Sequence, residues 1–140
     1  MGNIKKYIIK TNGSVNSKYG MSVFIISLDG RYIGKTNIID FNNALLLSKD
    51  LNEFLKKEKT RLNKNNCVYQ YGLVINKRER KQGWGTKLKK ECHKIIKYLG
   101  YSYVINIVGI INFVSQKIMN NLGYIKIKSN GKKDLLCKKL

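Results

Sequence analysis

The chain has 140 residues, 43% of them hydrophobic and 26% charged, enough for one core and too few for two comfortable ones. Lys and Arg outnumber Asp and Glu by 28 to 8, giving a formal charge of +20, so anionic partners are attracted and polycations such as polyamines are repelled. No run approaches the roughly 18 apolar residues that mark a membrane span, and the three cysteines (Cys67, Cys92, Cys137) are odd in number and without metal spacing, which reads as buried free thiols and no metal site.

The N-terminal "MGNIKKYIIK" carries no apolar block of signal-peptide length, and Lys6 breaks the myristoylation pattern. These features read as a soluble, cytoplasmic chain with no membrane partner. The positive charge has two sources open to it. It is 24 Lys against 4 Arg in a chain crowded with Asn and Ile, which an A/T-rich genome produces unaided. Arg, the better fork for bidentate phosphate recognition, is scarce. A nucleic-acid partner such as tRNA stays open beside that reading.

In chain order, "KKYIIKT" (residues 5–11) predicts a strand, and the turn-rich "NGSVNSKYG" a loop. "MSVFIISLDGRYIGKTNIID" predicts a hairpin around Asp29-Gly30, a pair suited to a two-residue type I′ turn in which both residues take positive φ. The period then switches. Leu47, Leu51, Phe54, Leu55 and Leu62 predict one helix over 43–62, capped by Asn42 or Asn43. "CVYQYGLVI" (67–75) predicts a strand with Tyr69, Tyr71, Leu73 and Ile75 on one face. Leu88, Cys92, Ile95, Ile96 and Leu99 recur at helical spacing, with Gly100 placed as an αL stop. "YSYVINIV" (101–108) predicts a buried strand. Asn112 is placed to cap a short helix with stripe Val114, Ile118 and Leu122, ended by Gly123; "YIKIK" and "DLLCKKL" close as a hairpin across Asn130-Gly131. The order of elements predicts an α/β (α+β) fold with a mixed, mostly antiparallel sheet flanked by helices, and residues 1–140 as a single domain.

Between the strand at 67–75 and the next helix lies "RKQGWG" (80–85). Strand, Gly-x-Gly, helix is a way to expose backbone N–H groups that have no partner within the helix, at the end where the helix dipole is positive. Glycine lets a ligand approach the main chain closely. A phosphate or diphosphate is the preferred guest. The P-loop pattern is absent, and Leu88 stands where a dinucleotide fingerprint wants its third glycine.

Arg80, Gly83 and Gly85 match the (Arg/Gln)-x-x-Gly-x-(Gly/Ala) loop, Leu73 and Ile75 the aliphatics before it, and Asn112, Ser115 and Leu122-Gly123-Tyr124 the later helix, of the GNAT superfamily of N-acetyltransferases, which the sequence therefore resembles. The resemblance covers residues 67–128 most strongly. It implies an acetyl-CoA-dependent N-acetyltransferase acting by direct attack of an amine in a ternary complex, with acetyl-CoA as cosubstrate. Backbone N–H groups of Lys81, Gln82, Gly83, Trp84, Gly85 and Thr86 are implied to hold the diphosphate. Leu73, Val74 and Ile75 are implied to pair with the pantetheine arm, within a splay between their strand and the strand at 103–108. Asn112 and Ser115 are implied to touch the cosubstrate from the second helix.

Two departures stand out. The positions where the family often keeps a base hold Tyr69 and Tyr71, and its usual tyrosine acid is Met119, which has no proton to give. A water chain from either tyrosine to a carboxylate such as Asp40 or Glu79 is one expectation, with positioning of an already neutral amine the other. Lys87, Lys89 and Lys90 read as a solvated face or as contacts to the 3′-phosphate, and His93 as a surface or half-buried histidine. The second departure is the helix at 43–62, which the family lacks at that point, so the acceptor wall is not readable. Three functions stay open: acetylation of a protein lysine, N-terminus or small amine; acetylation of an aminoacyl-tRNA; and a degenerate CoA- or nucleic-acid-binding module. A dimer is compatible with the sequence, which does not fix the oligomeric state.

Overall fold

The computed structural model describes residues 6–56 and 66–140. Its elements are β1 (Tyr7–Gly13), β2 (Met21–Ser27), β3 (Tyr32–Asp40), α1 (Phe41–Leu47), α2 (Lys49–Lys56), β4 (Cys67–Ile75), a 3-10 turn (Lys77–Glu79), α3 (Trp84–Tyr98), β5 (Tyr103–Gly109), α4 (Phe113–Asn121), β6 (Ile125–Ser129) and β7 (Lys133–Lys139). The strands form one seven-stranded sheet in the order β1-β2-β3-β4-β5-β7-β6. Only β4 and β5 run parallel; every other neighbour is antiparallel.

Each face of the sheet carries its own core. Val68, Val104 and Leu136 pack with Trp84, Leu88, Cys92 and Ile96 of α3 and Met119 of α4. Their chain neighbours Cys67, Tyr69, Ile105 and Leu135 pack with Phe41 and Ala44 of α1 and Leu51 and Phe54 of α2. Adjacent strand residues thus divide between the clusters, as the pleat requires. The three cysteines are buried and free.

The structure corrects four local expectations. The turn at Asp29-Gly30 is not type I′: only Gly30 has positive φ (87°). Ser27 N–H bonds Arg31 O, and Gly30 N–H bonds Ser27 O, closing a three-residue loop with the αL glycine that such loops use. The expected helix over 43–62 is two helices. Asp40, rather than Asn42 or Asn43, caps α1 by accepting from Asn43 N–H at 2.8 Å. Ser48 then breaks the run with an extended backbone, and its hydroxyl accepts from Leu51 N–H at 3.1 Å to start α2. Leu62 and most of the basic segment after α2 lie outside the described residues.

The α4 stripe is rotated from its expected place. Val114 is 72% exposed while Met119 is 3% exposed, with Leu122 packed beside it. Finally, β4 does not keep Tyr69, Tyr71, Leu73 and Ile75 on one face. Tyr69 and Tyr71 join the α1–α2 core, whereas Leu73 and Ile75 pack against the α3 side. The cause is a bulge. Asn37 pairs with Tyr71 and Lys35 with Val74, so Thr36 alone faces Gly72 and Leu73. Gly72 sits there at φ 68°, and the extra residue reverses the alternation.

Candidate active site

β4 and β5 share only three residue pairs: Cys67 with Tyr103, Val68 with Val104, and Tyr69 with Ile105. Beyond them the strands part. One side-chain bridge crosses the gap, Asn106 Nδ2 donating to Gln70 O at 3.1 Å. The parting opens a cleft of about 260 Å³ whose lining includes Gly72 and Leu73 of β4, Asn106 of β5, and Asn112, Ser115 and Met119 from the α4 side. The bulge at Gly72 therefore lies inside the cleft wall and turns Leu73 toward α3.

The glycine loop stands at the α3 end of β4. Arg80 is extended (φ −70°, ψ 161°). Lys81 is the only described non-glycine residue with positive φ (64°), and Gly83 follows at 80°. Such backbone is strained for a lysine and concentrates where a main chain is shaped for a ligand. Helices α1, α2 and α4 are each capped by a side chain, Asp40, Ser48 and Asn112. For α3 the N-cap is Gly83, and no side chain caps it. A Cβ built on Gly83 would meet nothing within 4 Å. The space beside Gly83 is therefore open at the N-terminus of a 15-residue helix whose N-cap residue has no side chain to offset the dipole. These features fit a diphosphate at Lys81–Thr86.

The remaining site residues take the following places. The Trp84 side chain is 4% exposed and packs edge-on to Tyr7 at 5.9 Å, so it belongs to the core and offers only its backbone to the loop. Lys87 Nζ lies over the Tyr7 and Trp84 rings at 5.4 and 5.7 Å. The Ile75 carbonyl accepts from Arg80 Nε at 3.1 Å. Of the three residues expected to pair with a pantetheine arm, the Ile75 carbonyl is thus already engaged and Val74 pairs with Lys35 of β3, leaving Leu73. Asn112 Oδ1 accepts from Ser115 N–H at 3.2 Å, which commits that oxygen to the cap and leaves the amide NH₂ for the cleft.

Tyr69 and Tyr71 stack at 5.8 Å on the cleft's far wall. Burial raises both pKa values, with Tyr69's burial being the greater. Tyr71 donates its hydroxyl proton to Tyr19 O at 2.7 Å. Both are neutral near pH 7, and neither is a base there. Neither tyrosine bonds directly to the Asp40 or Glu79 carboxylate, each of which has another partner. Asp40 caps α1, and Glu79, 5% exposed, is ion-paired with Arg31 Nε.

Lys89, expected on a solvated face or at the 3′-phosphate, and His93, expected at the surface or half-buried, are both buried. Lys89 is 2% exposed and His93 8%. Lys89 Nζ donates to Gln70 Oε1 at 3.1 Å and lies 5.5 Å from the Tyr124 ring centre. Gln70 Nε2 donates to Thr36 Oγ1 at 3.2 Å, and that hydroxyl donates to Tyr71 O at 3.1 Å. A polar chain thus runs from α3 through β4 to β3, along one side of the cleft. A signal for it stands in the sequence. Lys89, Cys92, His93 and Ile96 follow the i, i+3, i+4, i+7 rule of a buried helix face.

No protein-family model and no curated protein sequence matches the chain. Solved structures do. A Klebsiella pneumoniae protein described as an acyl-CoA N-acyltransferase superposes with TM-score 0.69 at 12% identity, over 96% of this chain and 97% of its own. A GNAT-family acetyltransferase of Listeria monocytogenes gives 0.66 at 10%, over 85% and 64%. The PaiA N-acetyltransferase of Thermoplasma acidophilum, solved with coenzyme A, gives 0.61 at 16%, over 85% and 60%. Identities this low carry the likeness of fold, and the chain spans under two thirds of the last two proteins. The chain has the GNAT fold. Among the described residues no helix is long and apolar enough to cross a membrane.

Proposed function

We propose that this protein is an acetyl-CoA-dependent N-acetyltransferase, with the whole chain acting as one catalytic unit. The observation that carries the reading is the parting of β4 from β5 after Tyr69 and Ile105, beside an α3 N-terminus that no side chain caps. Backbone donors of Lys81–Thr86 hold the diphosphate, and the Leu73 peptide, on the β4 edge that faces the parting, receives the pantetheine arm beside Val74 and Ile75. Asn112 and Ser115 meet it from α4. A primary amine enters from the wall formed by Tyr69 and Tyr71 and attacks the thioester carbonyl directly. With both tyrosines neutral, the site selects an amine that has already lost its proton, and its contribution is orientation. A protein lysine, an N-terminus or a small amine of low charge fits a +20 surface better than a polyamine does.

Acetylation of an aminoacyl-tRNA draws on that same surface charge, and its rate would fall steeply with salt. The test of the whole reading is thiol release from acetyl-CoA with pooled peptides, small amines and charged tRNA, compared between wild type and Gly83→Asp. Thiol release by the wild type alone supports the enzyme. Binding of acetyl-CoA with no release above the variant would leave a carrier-binding module, and absence of binding would remove the reading altogether.

A further inference from the structure

Lys89 is the one group lining the cleft that can carry a positive charge. It is nearly fully buried, yet among the described residues no carboxylate pairs with it; its partner is the neutral Gln70 amide. A methionine of similar length would fill that volume at far lower desolvation cost. The ionisable groups around it are Cys92 and His93 on its own helix and Tyr124 at the entry to β6, with Cys137 and Lys138 of β7 behind them. None of these supplies a stable negative charge at neutral pH. An unpaired ammonium facing a cleft is what a reaction that expels an anion into that cleft requires. Met119 lines the same cleft and has no acidic proton.

We propose that Lys89 is the proton donor to the departing sulfur when the thioester is cleaved, a role that rests on the acetyltransferase reading above. The acceptor nitrogen bonds to the carbonyl carbon, the C–S bond breaks, and its electron pair stays on sulfur. Lys89 Nζ gives that sulfur a proton, producing the free thiol. The surplus proton on nitrogen leaves to water, and neutral Lys89 is reprotonated from solvent. Burial lowers the Lys89 pKa to about 7, so the donor gives up its proton readily at neutral pH and is regenerated there.

The experiment compares wild type with Lys89→Met and Lys89→Arg in two measurements. In the first, CoA is bound to each protein and the thiolate absorbance of its sulfur is followed from pH about 6 to 10. Beside Lys89 the bound thiol ionises at a pH at least about one unit lower than in Lys89→Met, because the ammonium favours the thiolate and burial alone opposes it. In the second, thiol release from acetyl-CoA is measured with hydroxylamine, a weakly basic nucleophile, with rates referred to its neutral form. The wild-type kcat falls as pH rises through the Lys89 titration. Lys89→Met loses at least tenfold in kcat and loses that limb, with CoA affinity changed less than twofold, and Lys89→Arg moves the limb to higher pH. Equal thiol ionisation in wild type and Lys89→Met overturns the role of Lys89 while leaving the acetyltransferase reading intact. So does a kcat profile that Lys89→Met leaves unchanged. A wild type that binds CoA and releases no thiol, or does not bind it, overturns both. Melting curves should show Lys89→Met folded, with a Tm at or above that of the wild type.

Discussion

His93 Nε2 and the Tyr124 hydroxyl stand 2.7 Å apart, tying the middle of α3 to the start of the closing hairpin inside the core. Burial, with Lys89 and Lys138 nearby, pulls the His93 pKa down to about 4. Burial also raises that of Tyr124, so a neutral phenol and a neutral imidazole share this hydrogen bond.

This pair fixes a pH window for stability. The folded pKa of His93 lies below its unfolded value of 6.5, so its contribution is complete above pH about 6.5. As pH falls toward about 4, the unfolded chain takes up a proton that the native state refuses. Stability on the order of 2 kcal/mol is lost across that interval and no more below it. Thermal melts between pH 7 and 4 check this. His93→Gln should flatten the decline in that window by several degrees of Tm relative to wild type. An unchanged pH dependence in the variant would show that His93 titrates alike in the native and unfolded states.

Gly72→Ala tests the bulge. At φ 68° a side chain is strained, and its Cβ would come within 2.9 Å of Asn37 Nδ2. Asn37 is itself held by Ser22, which donates to its Oδ1 at 2.8 Å. The substitution should cost about 1–3 kcal/mol in urea unfolding. Acetyl-CoA affinity should also fall severalfold, because Leu73 loses its orientation into the cleft. A loss of stability with affinity intact would show that the bulge has no part in the site.

Gly83 allows a cleaner separation of charge from shape. Asn and Asp both tolerate the αL backbone, and the space at the Cβ position is open. Gly83→Asn should keep acetyl-CoA affinity within a fewfold of wild type. Gly83→Asp, which sets a carboxylate at the anion site, should lose at least tenfold by calorimetry. Equal affinities would place the diphosphate elsewhere.

The sequence carried the order of elements, the mixed sheet, both glycine helix stops and the Asn112 cap, since each rests on local chemistry that tertiary packing did not override. Its failures share a cause. A single residue changed a parity or a phase that periodicity assumes constant. Ser48 split one helix into two, and Gly72 divided the β4 face between Tyr71 and Leu73. A glycine inside a strand is a bulge signal, and here it was outweighed by the regular spacing around it. Lys89 and His93 are buried because their place on the helix face, beside Cys92 and Ile96, outranks residue type. In the cleft, the loop and α4 contacts follow from a motif, whereas the Lys89–Gln70–Thr36 chain joins three elements distant in sequence and is visible only once they are folded together.

The three rungs that join β4 to β5 make the sheet two antiparallel leaves on a narrow spine. Val68 and Val104 face each other on that spine, fully enclosed. A bulkier or slimmer side chain there acts like a shim at the base of a pair of tongs, changing the spread of the tips without touching them. The width of the cleft is therefore set partly from its closed end, by residues that form no part of its lining.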